Sequence, residues 1–341
     1  MEELTPNPIF EMPTGLNIIK HPIKPSYTTS IAYPKFSLGF QHFIHQSLKK
    51  IHDEVVAFKD KKKVYDVYNN YSINIDEYSD SISEVGKEFF KKTNLSQEFY
   101  SYWELLCLFN LSCNKHEDLS NDDDISLAVD LFNKKYESNK NTLYTSINGR
   151  EHDYVETQEQ KMFKYLIEDI NTVLSNGAKG CNFMLKINES YTSVTCKLLC
   201  LLSDVFDHVY LVKPLTVTHA SSEKYVICIN LKTNTNILNN IKSNLLDIFP
   251  TFEIEPDIMS FFIKLNTTFS NKQFQKINQM IGFIHRQNFR GEEYQERKKI
   301  QISSSEIWIG SFLLDKYKSF KEYIDACIQV SKNDRVTIYL R

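Results

Sequence analysis

Glycine is scarce in this chain: nine among 341 residues, where the usual ~7% would supply about two dozen. Alanine and arginine are thin as well, while Lys, Asn and Ile abound, a bias that fits an AT-rich genome. The glycines are also unevenly placed, with none between positions 87 and 148, where proline is missing too. The chain has no GxxxxGK[ST], no HExxH and no GxSxG, which excludes a P-loop, a zincin helix and a nucleophile elbow. Seven scattered cysteines (107, 113, 181, 196, 200, 228 and 327) form no CxxC pair, so neither a disulfide framework nor a zinc site is signalled. They read as buried thiols in a reducing compartment. The opening MEELTPNP has no basic or apolar leader pattern, and no run approaches 18 apolar residues. A soluble intracellular protein with no membrane partner is expected. Excess charge of one sign is lacking: the net charge of −3 argues against a nucleic-acid coat and leaves room only for a local basic groove. What the chain does have is 42% hydrophobic and 13% aromatic residues, which excludes intrinsic disorder and suffices for a sizeable core.

Residues 1 to 35 are proline-rich and predict an extended arm laid over a domain. Helical spacing begins near Phe40, with Phe40, Phe43, Ile44, Leu48, Ile51 and Val55 on one face. The polar stretch VYNNYSINIDEYSDSIS reads as loop. NLSQEFYSYWELLCLF predicts a helix with Phe99, Trp103, Leu106 and Phe109 on its apolar side. HEDLSNDDD reads as a solvated turn that caps a helix over ISLAVDLFNKKY. From residue 142 short apolar runs alternate with helical patterns, the signature of a mainly parallel α/β sheet. Strands are expected at TLYTSI, CNFMLKI, HVYLVKP and EKYVICINL, with helices over VETQEQKMFKYLIEDINTVLSNG and SVTCKLLCLLSDVF. Beyond Lys232, helices are expected over ILNNIKSNLLDIF, NKQFQKINQMIGFIHRQNF and FLLDKYKSFKEYIDACIQV, and a short strand over VTIYLR.

The middle of the chain carries a run of ordered motifs: a strand ending Leu185-Lys186, a helix, a strand ending Lys213-Pro214, a loop from Thr216 to Ser222, then Ser221, Glu223 and Tyr225. In this it resembles the FtsJ-type RNA ribose 2′-O-methyltransferases, over roughly residues 95 to 232. That resemblance implies a Rossmann-like methyltransferase-type sheet with flanking helices, an N-terminal arm and a helical C-terminal extension. It divides the chain into residues 1–94, 95–232 and 233–341. It also implies a Lys-Asp-Lys-Glu tetrad in which one lysine acts on the ribose hydroxyl and its neighbours orient it. Lys186 and Glu223 fall on the third and fourth positions. Ser101 takes the place of the first lysine, since SQEFYSYWE aligns Ser96 and Glu104 with the family's helix, and Ile147 takes the place of the aspartate. Asn148 or Asp153 could substitute through a shifted loop. The family's glycine-rich cofactor loop would lie in the span that has no glycine, and the interval from Glu104 to Thr145 is too short for two βαβ units of ~30 residues each.

The layout resembles that of the small, non-catalytic subunits of poxvirus mRNA-capping enzymes. This implies a catalytically silent partner of a capping-enzyme large subunit or of transcription machinery, with no cofactor of its own, in the cytoplasm of a host of a DNA virus or virus-like element. The alternative is an active 2′-O-methyltransferase that uses S-adenosylmethionine, Lys186 as base and Glu223 as its orienter. Lys186 and Glu223 also read as an ordinary salt bridge between strand ends. Among other features, Arg286, Arg290 and Arg297, with Lys298, Lys299, Phe289 and Tyr294, form the best basic-aromatic cluster for RNA, or else a solvated loop between helices. His42 and His45 are helical neighbours and read as a metal pair or as ordinary histidines. KDKKKVYD reads as a phosphate-binding patch or a solvated helix end.

Overall fold

The computed structural model describes residues 7–22, 38–56, 61–136, 141–147, 158–239, 241, 248–286 and 290–313. Its strands are β1 (Phe10–Glu11), β2 (Lys115–Asp118), β3 (Thr142–Ile147), β4 (Asn182–Ile187), β5 (Phe206–Val212) and β6 (Lys224–Leu231). The helices are α1 (Leu38–Val56), α2 (Lys61–Val67), α3 (Ile82–Phe90), α4 (Gln97–Phe109), α5 (Asp123–Lys135), α6 (Gln158–Asn176), α7 (Ser193–Val205), α8 (Pro256–Arg286) and α9 (Glu292–Phe312).

The strands form one sheet in the order β1-β5-β6-β4-β3-β2, an α/β arrangement of the Rossmann-like methyltransferase type. β2, β3, β4 and β5 run in one direction, but β6 enters reversed between β4 and β5. The cause is local. Only residues 213–223 join β5 to β6, with no helix among them, and a parallel return needs a crossover of a dozen residues or more. The N-terminal arm adds β1 antiparallel to β5, so the described part of the arm is stitched to the sheet edge, with Met12 and Ile18 in the core.

Alternate residues of the strands feed two cores. Phe183, Leu185, Val226, Cys228, Val209 and Leu211 face α6, α7 and the first half of α8. Leu143, Met184, Tyr225, Ile227 and Val212 face α4, α5 and α9. Covered on both faces, the strands can be apolar at every position, as the fully buried run of β4 illustrates. A third cluster joins α1 and α2 to the far end of α8 through Ile44, Ile51, Tyr68, Ile277 and Phe283. Residues from all three sequence segments thus meet in shared cores.

Two expectations need correction. HEDLSNDDD is not wholly a turn: Lys115 to Asp118 form β2, parallel to β3. An edge strand tolerates charge because one side meets solvent, so it shows none of the apolar alternation that would have betrayed it. The remainder does cap α5, with Asp122 Oδ1 accepting from the N–H groups of Asp124 and Ile125. Second, the basic segment after Arg290 is not a loop but α9. Its buried side is built from Gln301, Ser304 and Ser305 before Trp308, Ile309 and Phe312, so hydropathy conceals its helical period. α3 lies partly in and partly beyond the stretch read as loop, and α8 starts 15 residues before the expected helix, with Pro256 in the first turn, where its missing N–H costs nothing. The C-terminal segments from 314 onward, and most of ILNNIKSNLLDIF, lie outside the described residues.

One glycine is set by close approach. A Cβ on Gly86 in α3 would overlap the hydroxyl and ring of buried Tyr100. Gly86→Ala should therefore destabilise, by up to about 2 kcal/mol, despite its better helix propensity, since overpacking costs ~1–3 kcal/mol and alanine returns ~1. Urea unfolding monitored by circular dichroism measures it, and an unchanged or raised midpoint would show that Tyr100 moves freely.

Candidate functional site at the carboxyl ends of the strands

In open α/β sheets ligands bind outside the carboxyl ends of the parallel strands. Here Ile147 and Val212 close two of those strands and Lys186 is the last residue but one of a third, while Glu223, just before β6, and Lys224, its first residue, lie at the same end. The register aligns Ile147 with Lys186, Lys186 with Tyr225, and Tyr225 with Val212. Residues directly opposite in neighbouring strands point to one face, so this row faces α4.

Lys186 is buried, with 8% of its side chain exposed, and its Nζ lies 3.1 Å from Glu223 Oε1. Glu98 Oε1 approaches to 3.9 Å from α4. The two residues matched to tetrad positions three and four therefore touch, and a second carboxylate, unsuspected from sequence, faces the same ammonium. Glu98 sits three residues before Ser101 and so on the same face of α4, a spacing that could have revealed it.

The other two positions carry different chemistry. Ser101 is buried, and its hydroxyl is hydrogen-bonded to Thr216 Oγ1 at 2.8 Å. Ile147 offers only an alkyl side chain beside Lys186. Asn148 and Asp153, the alternatives to it, lie outside the described residues. Next to Ser101, the Tyr102 hydroxyl donates to the Ser146 carbonyl at 3.3 Å, and its ring packs edge-on against Tyr225 at 5.4 Å.

The turn from β2 to α5 lies in the span without glycine, where the resemblance would put a cofactor loop. Asp118 accepts from the Ser120 hydroxyl at 2.6 Å, the Ser120 and Asp122 N–H groups at 3.1 and 2.5 Å, and the Thr145 hydroxyl at 3.1 Å. Ser120 Oγ in turn accepts from the Ile147 N–H at 3.3 Å. Asn121 holds φ 53°, the left-handed conformation that glycine adopts more readily. The turn spends its polar groups on itself and carries side chains where a glycine-rich loop would bring bare backbone to a ligand. The described residues here do not fit a close-approach S-adenosylmethionine loop.

Glu104, aligned with the family's helix glutamate, ties the site together from beneath. Its Oε1 accepts from the Leu215 N–H at 2.7 Å and its Oε2 from the Trp308 indole at 2.9 Å, joining α4, the Lys213-Pro214-Leu215 bend and α9. Burial pushes its carboxyl up to about 7, against the opposing pull of those donors and of the Thr216 N–H.

Of the remaining sequence candidates, Arg286 and Arg297 gather around the hydrogen-bonded Tyr68–Glu293 pair. Arg286 forms a two-point pair with Glu293, at 2.7 and 2.9 Å, Arg297 lies over the Tyr68 ring at 4.9 Å, and Arg290 is exposed between α8 and α9. His45 is buried against Glu189 at 2.7 Å while His42 is exposed, so the two helical neighbours part company. Among the described residues no three His, Cys, Asp or Glu side chains cluster as a metal site, and no helix is long and apolar enough to cross a membrane.

No family model matches the chain. It is similar to an uncharacterized protein of Acanthamoeba polyphaga mimivirus, 26% identical over 258 residues that cover 70% of this chain and 74% of the relative. It is also similar to cap-specific mRNA (nucleoside-2′-O-)-methyltransferase 2 of Drosophila melanogaster, 27% identical over 114 residues, 30% of this chain and 16% of that protein. Cap-specific mRNA (nucleoside-2′-O-)-methyltransferase 1 of Dictyostelium discoideum is 26% identical over 146 residues, 39% of this chain and 19% of its own length. The matches span less than a fifth of each cap methyltransferase. The chain thus has an α/β fold of the Rossmann-like methyltransferase type and is distantly similar to cap-specific mRNA 2′-O-methyltransferases and to a mimivirus protein.

Proposed function

We infer that the chain is a methyltransferase-fold protein of viral mRNA cap modification that has given up the chemistry and works as a non-catalytic partner. In this role it docks on a capping-enzyme large subunit, stimulating a cap guanine-N7 methyltransferase, or on transcription machinery, in the host cytoplasm. The observation that carries this is the divided tetrad: Lys186 and Glu223 still pair at 3.1 Å, while Ser101 is spent on Thr216 and Ile147 stands where a carboxylate is needed. The self-satisfied β2–α5 turn supports it. A partner subunit needs a stable scaffold more than a reactive site, and a pair of well-filled cores supplies one.

Calorimetric titration with S-adenosylmethionine and with its demethylated product is expected to show no saturable binding. Micromolar binding of either would overturn the silent assignment. Pull-down from infected cells should bring down a capping-enzyme subunit or polymerase component, and the absence of both would remove the partner role.

A second reading has its own support. The pair at 3.1 Å in a buried setting is also what an active 2′-O-methyltransferase would use to aim a lysine at a ribose hydroxyl. Under it, transfer of a labelled methyl group to capped RNA is expected and is lost in Lys186→Met; no transfer at high enzyme concentration ends it. An RNA contact through Arg286, Arg290 and Arg297 would have to open the Arg286–Glu293 pair.

A further inference from the structure

Beside the Lys186–Glu223 pair, a narrow cleft lies between the β5–β6 connection and α8, lined by Lys213, Lys224, Ser221, Ser222 and Glu223, with Ser270 and Gln273 from the helix. Lys213, just after β5, and Lys224, at the start of β6, line it, and Lys272 and Lys276 lie one turn apart on α8, where Lys272 adds its charge to the surroundings of Lys213 and Lys276 donates to Asn70 Oδ1 at 3.4 Å. Lys213, Lys224 and Lys276 are buried. Lys213 Nζ donates to the Ser221 carbonyl, Lys224 Nζ to the Asn188 and Ser222 carbonyls, and Lys272 Nζ to Asn7 Oδ1 at 3.4 Å. All these acceptors are neutral. The nearest carboxylates are Glu223, already held by Lys186, and Glu189 and Glu159 on the Lys224 side.

Buried ammonium groups with neutral partners are costly unless an anion completes them. The shifts are in line with that cost. Burial brings Lys213 down to about 7 and Lys224 and Lys272 to about 8, and with the lysines it holds His219 well below its usual range. The hydroxyls of half-buried Ser221 and Ser222 at the mouth add donors suited to an oxyanion.

We propose that Lys213 and Lys224, with Ser221 and Ser222 at the mouth, form a binding pocket for a single phosphate group. The pocket needs neither S-adenosylmethionine nor the tetrad. Its phosphate comes from an RNA strand or from a small phosphorylated molecule, and the two sources share this chemistry.

Inorganic phosphate titrated into the full-length protein at constant ionic strength, with chloride as control, tests it by calorimetry. Saturable one-to-one binding is expected, weakened at least ~10-fold by Lys213→Met, the effect of losing one charge-assisted hydrogen bond. Ser222→Glu places a carboxylate at the half-buried mouth and should weaken binding as strongly without touching the core; melting in phosphate-free buffer verifies that both variants fold. Competition between phosphate and a 5′-phosphorylated oligoribonucleotide identifies RNA as the source, and phosphate binding without competition identifies a small molecule. No saturation by the wild-type protein, or undiminished binding in both pocket variants, overturns the proposal. Failure to bind S-adenosylmethionine does not bear on it.

Discussion

Glu104→Leu should be among the most damaging single substitutions in the described structure, costing roughly 3–6 kcal/mol. The Glu104 side chain accepts from three buried donors, the N–H groups of Leu215 and Thr216 and the indole of Trp308. Each donor stranded without water or an acceptor costs about 1–3 kcal/mol. The leucine also loses the tie between α4, the bend after β5 and α9, so the damage should reach the Lys186 site as well as the core. Chemical denaturation at pH 6 measures it; a loss under about 1 kcal/mol would mean that the bend and Trp308 find other acceptors. The same carboxyl sets a pH dependence. Its folded value, about 7, lies above the ordinary 4.5, so between those values the folded protein binds more protons than the unfolded chain. Its contribution is therefore most favourable below pH 4.5 and is lost as pH rises through 7. Glu104→Gln should remove that slope, and its persistence in the variant would assign it to another group.

Lys213→Met runs in the opposite direction: it should raise stability at neutral pH. Lys213 is brought down to about 7 from 10.5, first by burial, with Lys224 and Lys272 adding to the effect and Glu223 opposing it. The unfolded chain thus binds more protons between pH 7 and 10.5, and stability gains across that window as pH rises. Holding an ammonium there near pH 7 costs on the order of 5 kcal/mol. Methionine keeps the apolar stem and removes the charge, while the Ser221 carbonyl loses its donor at a cost of about 1–3 kcal/mol. The expected net gain is roughly 2–4 kcal/mol at pH 7, shrinking towards pH 10, read from thermal or urea unfolding at both pH values. A less stable variant at pH 7 would show that the ammonium is better paired than neutral oxygens allow. A gain in stability coupled to loss of phosphate binding is the pattern expected where function holds a charge in place at the expense of the fold.

Most of the sheet was legible from the chain alone. The apolar runs of β3 to β6 are buried on both faces, and such strands announce themselves by composition. β2 and α9 did not, because an edge strand can be charged and a helix can bury glutamine and serine when backbone carbonyls receive them. Gln301 does so, donating to the carbonyls of Asp66, Val67 and Asn69. At the site, the order of motifs placed Lys186 and Glu223 correctly at neighbouring strand ends, and the structure brings them into contact. Glu98 was hidden, since it reaches Lys186 through packing between elements far apart in sequence.

By itself, then, the sequence determined the α/β class, the positions of the core strands and the presence of Ser101 and Ile147 where the resemblance would put a lysine and an aspartate. These follow from residue type and local spacing. Only the tertiary structure decided that β6 is reversed, that the β2–α5 turn satisfies itself where glycines are missing, and that Lys213 and Lys224 line one cleft. Those outcomes depend on which distant side chains share a buried volume, and local periodicity carries no record of that.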